Sequence, residues 1–205
     1  MSVNSPGIID GGSNPPEVIN TGDFTELLFT SVNSGFEAEL NGPTGIVASK
    51  PIKNASVTIN TERGESTSVG IQGTKVQKSE FIADGRGSLN MNVTTGQFKK
   101  NTVVGTNKAD SVSFGSGAKI NKSDIDLKKG KDTITFGAQT KFQGKTTVDL
   151  GKGSKDMVEF KAAPTKGKIV FDNVDKRDRF TIDGETYTGS EVADNFSNIK
   201  INFAD

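Results

Sequence analysis

The residues of this chain whose types and spacing carry the most chemistry are four aspartates at a near-constant interval. Asp110, Asp132, Asp156 and Asp178 each open a phrase of the form Asp-x-apolar-x-apolar, and they lie 22, 24 and 22 residues apart. Three of them directly follow a base, Lys131, Lys155 or Arg177. A carboxylate at the mouth of a tight turn accepts hydrogen bonds from backbone N–H groups, and a nearby cation balances its charge. On the residues alone, each aspartate is expected to cap a turn and to pair with Lys or Arg in the repeat above or below. Glycoside hydrolysis would need two carboxylates facing each other across one bond. Here they are spread as a repeat, so no residue is assigned a catalytic role and no enzymatic activity is expected.

Composition closes other routes. The 205 residues include no His, no Cys, no Trp and one Tyr. Without imidazole or thiolate there is no Ser-His-Asp or Cys-His nucleophile, no zinc site built on Cys or His and no disulfide. The Gly11-Gly12 and Gly115-Ser-Gly117 runs lack the Lys-Ser/Thr that follows a phosphate-cradling loop. Charge is balanced, 25 Lys+Arg against 25 Asp+Glu, which argues against nucleic acid as a partner. No run is long and apolar enough for a membrane span, and the start MSVNSPGIID has neither the basic nor the apolar region of a cleaved signal, so no membrane partner is expected.

These groups must be held by something, and the sequence divides into three parts. Residues 1–53 read as an extended acidic N-terminal arm, punctuated by Pro6, Gly11-Gly12, Pro15-Pro16, Gly42-Pro43 and Pro51. Residues 1–60 carry a net −4, and the remainder a net +4. Within the arm, Phe24, Leu27, Leu28 and Val32 fall at helical spacing, although the same stretch is rich in β-formers, and helix and strand stand level. In either form this apolar segment is expected to dock, on its own domain or on a neighbouring subunit.

From residue 54 to 183 the text changes to short alternating runs bounded by Gly, Asn, Asp and Lys, a strand signal. A second phrase recurs between the aspartates, Ile125-Asp-Leu127, Val148-Asp-Leu150 and Ile169-Val-Phe171. Each unit of about 22 residues thus holds two strands, too few to bury an apolar face alone. The expectation is all-β, a β-solenoid of two-strand coils, with a β-sandwich as the alternative. Equivalent strands would pair in parallel, placing Val112, Ile134, Val158 and Phe180 in one inward ladder and Phe114, Phe136, Phe160 and Ile182 in another. Residues 184–205 are expected to cap the last coil.

The phrases Leu127-Lys-Lys-Gly130-Lys-Asp132-Thr-Ile134 and Leu150-Gly-Lys-Gly153-Ser-Lys-Asp156-Met-Val158 resemble degenerate repeats of the haemolysin, or repeats-in-toxin, type. That resemblance implies Ca²⁺ shared between turns by the carboxylates of Asp110, Asp132, Asp156 and Asp178. The sequence departs from the pattern where it matters: most turn glycines are missing, and Lys128, Lys129, Lys131, Lys152 and Lys155 crowd the turns, so no metal or other cofactor is expected. Chains of this make-up also resemble structural proteins of bacteriophages, particularly those infecting marine cyanobacteria. The resemblance implies a virion structural protein on the particle exterior, such as a capsid decoration, knob or fibre component, anchored by the arm to other proteins of the assembly or to copies of itself. The alternatives are a secreted bacterial surface or adhesin module with Ca²⁺-binding repeats, extracellular or at the cell surface, and a carbohydrate-active solenoid enzyme.

Overall fold

The computed structural model describes residues 51–152 and 155–204 throughout, and before them the strands Gly7–Asp10, Leu27–Ser31, Glu37–Leu40 and Thr44–Ala48. The protein is a β-solenoid of about six turns. Strands make up 57% of it, in coils of about 22 residues. Both inward ladders hold in register. Val112 pairs with Ile134, Ile134 with Val158 and Val158 with Phe180, while Phe114, Phe136, Phe160 and Ile182 follow two residues on. All eight side chains are buried.

Two sheets form the long walls. One runs from Glu37–Leu40 through Ser56–Thr61, Glu80–Gly85, Thr102–Val104, Asp124–Asp126, Lys145–Asp149 and Lys168–Val174 to Ile199–Phe203. The other contains Thr44–Ala48, Ser66–Gln77, Ser88–Lys99, Ser111–Phe114, Thr133–Phe136, Met157–Phe160 and Arg179–Ile182. Period-two alternation sends one residue in and the next out, so only two or three apolar positions per strand are needed for the core. Phenylalanines fill much of it. Phe114 and Phe136 stack at 5.6 Å between centroids and Phe136 and Phe160 at 4.8 Å, a geometry available because equivalent residues sit one strand spacing apart.

The middle coils have a third, short side. The twelve-residue strands Ser66–Gln77 and Ser88–Lys99 serve two sides each: Ser88–Lys99 pairs through its first half with Ser111–Phe114 and through its second with Lys119–Asn121. Lys119–Asn121 continues to Lys141–Gln143, and Ile52–Lys53 pairs with the end of Ser66–Gln77. Each of these short segments buries one apolar residue, Ile52, Val76, Phe98, Ile120 or Phe142. The chain then turns back into the first sheet through a left-handed residue, Asn54, Lys78, Lys100, Lys122, Gly144 or Gly167 in successive coils. Four of these six carry a side chain at a conformation that disfavours one, so the corner is set by stacking and not by local preference.

At the N-terminal end Leu27–Ser31 pairs in parallel with Thr44–Ala48, and Gly7–Asp10 with Leu27–Ser31. Leu27 and Leu28 therefore lie in a strand and not in a helix, while Phe24 and Val32 lie outside the described residues. At the C-terminal end the parallel order stops. Glu185–Tyr187 folds back antiparallel on Arg179–Ile182, and the helix Gly189–Asn195 starts from a Thr188–Glu191 capping box with Val192 buried beneath it. No helix among the described residues is long and apolar enough to cross a membrane.

Candidate functional site

The four aspartates come together in one row at the corner that leads into Ser111–Phe114 and its equivalents. They are nearly inaccessible, at 2, 1, 2 and 1% exposure for Asp110, Asp132, Asp156 and Asp178. Each carboxylate accepts a hydrogen bond from the backbone of the preceding coil. Leu89 N–H donates to Asp110 at 2.7 Å, Asp110 N–H to Asp132 at 2.7 Å, Asp132 N–H to Asp156 at 2.7 Å and Asp156 N–H to Asp178 at 3.0 Å. The backbone carbonyls return the bond one residue on, with Thr133, Met157 and Arg179 N–H donating to Asp110, Asp132 and Asp156. Asp110 and Asp178 also close their own turns, accepting from Thr106 and Asp175.

This corner leaves no room beside it. A Cβ on Gly130 would lie 2.3 Å from the Lys108 carbonyl and 2.4 Å from the Asp132 carboxylate, which explains the glycine two residues before that aspartate. Burial dominates the electrostatics. It pushes Asp132 up to about 8, helped by the carboxylates of Asp156 and Asp110 and opposed by the Asp110 N–H. It pushes Asp156 up to about 6, and raises Asp110 and Asp178 as well. One oxygen of Asp132 has no partner.

The expected turn capping by backbone N–H groups is thus present, but the expected pairing with Lys or Arg is not. Among the described residues the ion pairs are Lys161–Glu159 and Arg177–Asp175, both outside the row. Alternation is the cause: in each Lys-Asp or Arg-Asp step the aspartate points inward, so Lys131, Lys155 and Arg177 point to solvent. Arg177 bonds the more accessible Asp175, not the buried Asp178. Nor does the row gather its carboxylates round a common centre. They are strung along the solenoid axis, and among the described residues no group of three or more Asp or Glu is placed to hold a metal ion.

A second polar row, at the corner entering the other sheet, was not anticipated from the sequence. Ala55, Ser79, Asn101, Ser123 and Thr146 occupy equivalent buried positions. Ala55 N–H donates to the Ser79 hydroxyl at 3.1 Å, Ser79 N–H to the Asn101 side-chain oxygen at 2.9 Å and Asn101 N–H to the Ser123 hydroxyl at 3.2 Å. The Asn101 amide nitrogen donates to the Val76 carbonyl. Its signal was present, since Ser79, Asn101, Ser123 and Thr146 each follow a lysine and recur at the coil period.

The outer surface sorts charge by side. The short side, residues 51–54, 74–78, 96–100, 118–122 and 140–143, carries eight lysines and no Asp or Glu. Lys75, Gln97, Lys119 and Lys141 make one outward row, and Lys53, Gln77, Lys99, Asn121 and Gln143 the next. Lys78, Lys100 and Lys122 line the corner. The sheet that follows is acidic over its earlier coils, with Lys145, Lys168 and Lys200 entering towards its C-terminal end. One row alternates Glu37, Ser56, Glu80, Thr102, Asp124 and Thr147, and beside it Asp126, Asp149 and Asp172 stack in register. The remaining wall shows mostly hydroxyls and amides, such as Asn90, Ser111 and Thr133. Compared with known proteins, this chain matches no family model, no curated protein and no solved structure.

Proposed function

We propose that this protein is a non-enzymatic structural component of a larger assembly, a capsid decoration, knob or fibre element on the outside of a virion, held to other proteins of the particle through residues 1–53. The supporting observation is where its polar chemistry is spent. The buried aspartate carboxylates, the Asn101 amide and the Ser79 and Ser123 hydroxyls are turned to the backbone of an adjacent coil, so they serve the stack and not a substrate. A stack held in this way is a stiff element built from little apolar material, suited to projecting from a surface. The location rests on the resemblance of the chain's make-up to structural proteins of bacteriophages.

Antibody labelling of purified particles by electron microscopy tests it. Label on the particle exterior is expected, and absence of the protein from purified particles would overturn the reading. Calcium separates it from a secreted repeats-in-toxin module. A ligand that binds only the folded state raises the melting temperature with concentration, so the particle reading expects the same melting curve in millimolar Ca²⁺ and in chelator.

A further inference from the structure

The basic and acidic sides share a period. On the lysine side, Lys53 and Lys99 are separated by Gln77 in the coil between, and Lys75 and Lys119 by Gln97. On the acidic side Glu37, Glu80 and Asp124 are separated by Ser56 and Thr102. These runs recur on alternate coils, while Lys119 and Lys141 on one side and Asp126, Asp149 and Asp172 on the other recur on successive coils, and every interval is a multiple of the same strand spacing of about 4.8 Å. Two charge rows with one period meet without accumulating mismatch along the whole length of contact. Neither set is consumed within the chain, since the ion pairs among the described residues lie elsewhere.

We infer that the lysine side docks on the acidic side of a second copy of this chain, with the solenoid axes aligned. A copy supplies the matching charge at the matching interval, and a net charge of zero removes the long-range repulsion that keeps strongly charged proteins apart. Nucleic acid fits less well. The lysine side has no Arg to fork onto phosphate, and its aromatics, Phe98 and Phe142, point inward. The contact is heterologous, a basic surface on an acidic one, so each added copy leaves one of each free and the assembly closes as a ring or grows as a row. This contact stands on the charge rows alone and does not depend on where the protein resides.

Sedimentation velocity of the full chain at about 20 mM and about 500 mM NaCl tests it, since added salt shortens the reach of exposed charges. Species larger than the monomer are expected at low salt and the monomer at high salt. The variant Lys75→Glu/Lys99→Glu/Lys119→Glu and the variant Glu80→Lys/Asp124→Lys are each expected to stay monomeric at both, and an equimolar mixture of the two to associate again. All five side chains face outward, so the melting temperature checks that each variant is folded, and the wild-type salt series needs no variant. A wild-type monomer at low salt overturns the inference. So does association that both reversals leave intact, or a monomer that binds dextran sulfate or an oligonucleotide through these lysines. None of these outcomes bears on the particle labelling.

Discussion

Two corners of the same coil hold the stack together with opposite chemistry. At one, Asp110, Asp132, Asp156 and Asp178 receive backbone N–H groups on carboxylates; at the other, Ser79, Asn101 and Ser123 receive them on hydroxyls and an amide. The geometry is shared, at 2.7–3.0 Å in the first row and 2.9–3.2 Å in the second. The difference is the proton. A buried amide has nothing to titrate, whereas a buried carboxylate is desolvated and sits within reach of its like-charged neighbours. Acceptor geometry alone thus builds a solenoid corner, and ionisable acceptors add a dependence on pH.

That dependence should be the largest effect. Asp132 and Asp156 are raised to about 8 and about 6, above the 3.8 of an ordinary aspartate, so the folded state holds their protons more tightly than the unfolded chain. Their contribution is complete below pH 4 and is lost as pH rises through 6 and then 8. Chemical denaturation should therefore show a protein more stable at pH 5 than at pH 8.5 by several kcal/mol. Asp132→Asn keeps the acceptor for Asp110 N–H and removes the charge, so it should flatten this slope; a slope unchanged by that variant would refute the contrast between the corners. Next comes Gly130→Ala, whose Cβ meets the Lys108 carbonyl and the Asp132 carboxylate. A loss of about 3 kcal/mol is expected from forcing backbone apart in a packed site, read as a lower denaturation midpoint.

At the neutral corner, Asn101→Ala strands the buried Ser79 N–H and Val76 carbonyl and should cost about 2 kcal/mol. The loss should be equal at pH 5 and pH 8.5, and a pH-dependent loss would erase the distinction. The smallest effect belongs to Lys122→Gly. Its left-handed backbone (φ 50°) disfavours a side chain, and relief offset by the freedom glycine adds to the unfolded chain should leave a gain of at most about 1 kcal/mol. A higher melting temperature is the expected reading.

Legibility in the sequence followed the apolar residues. Val112, Ile134, Val158 and Phe180 could be aligned by eye because a strand with one inward wall repeats its pattern every second residue. The third side could not, because segments such as Lys119-Ile-Asn121 and Lys141-Phe-Gln143 bury a single residue each and one apolar position has no period. Ser79, Asn101 and Ser123 sit between the strand phrases and carry no apolar signal, so nothing in the alternation marks them as buried. The aspartates were placed in the correct turns, but the bases expected to pair with them from the coil above or below stand at outward positions in every coil, while the carboxylates stand at inward ones. The charge division into an acidic start and a basic remainder was a sum along the chain. The grouping that matters runs across it, one side at a time, and emerges only once coils are stacked.

Both polar rows run in one sense. In each, the side chain that satisfies a coil's N–H belongs to the coil that follows, from Leu89 up to Asp156 in one row and from Ala55 up to Asn101 in the other. The series ends where Asp178 N–H turns to Asp175 within its own loop. A chain that emerges from the ribosome N-terminus first therefore presents, at every stage, a last coil with amides waiting for residues not yet made. Each coil's corner amides are completed by its successor, and a product that stopped early would end in a face of unfilled amides.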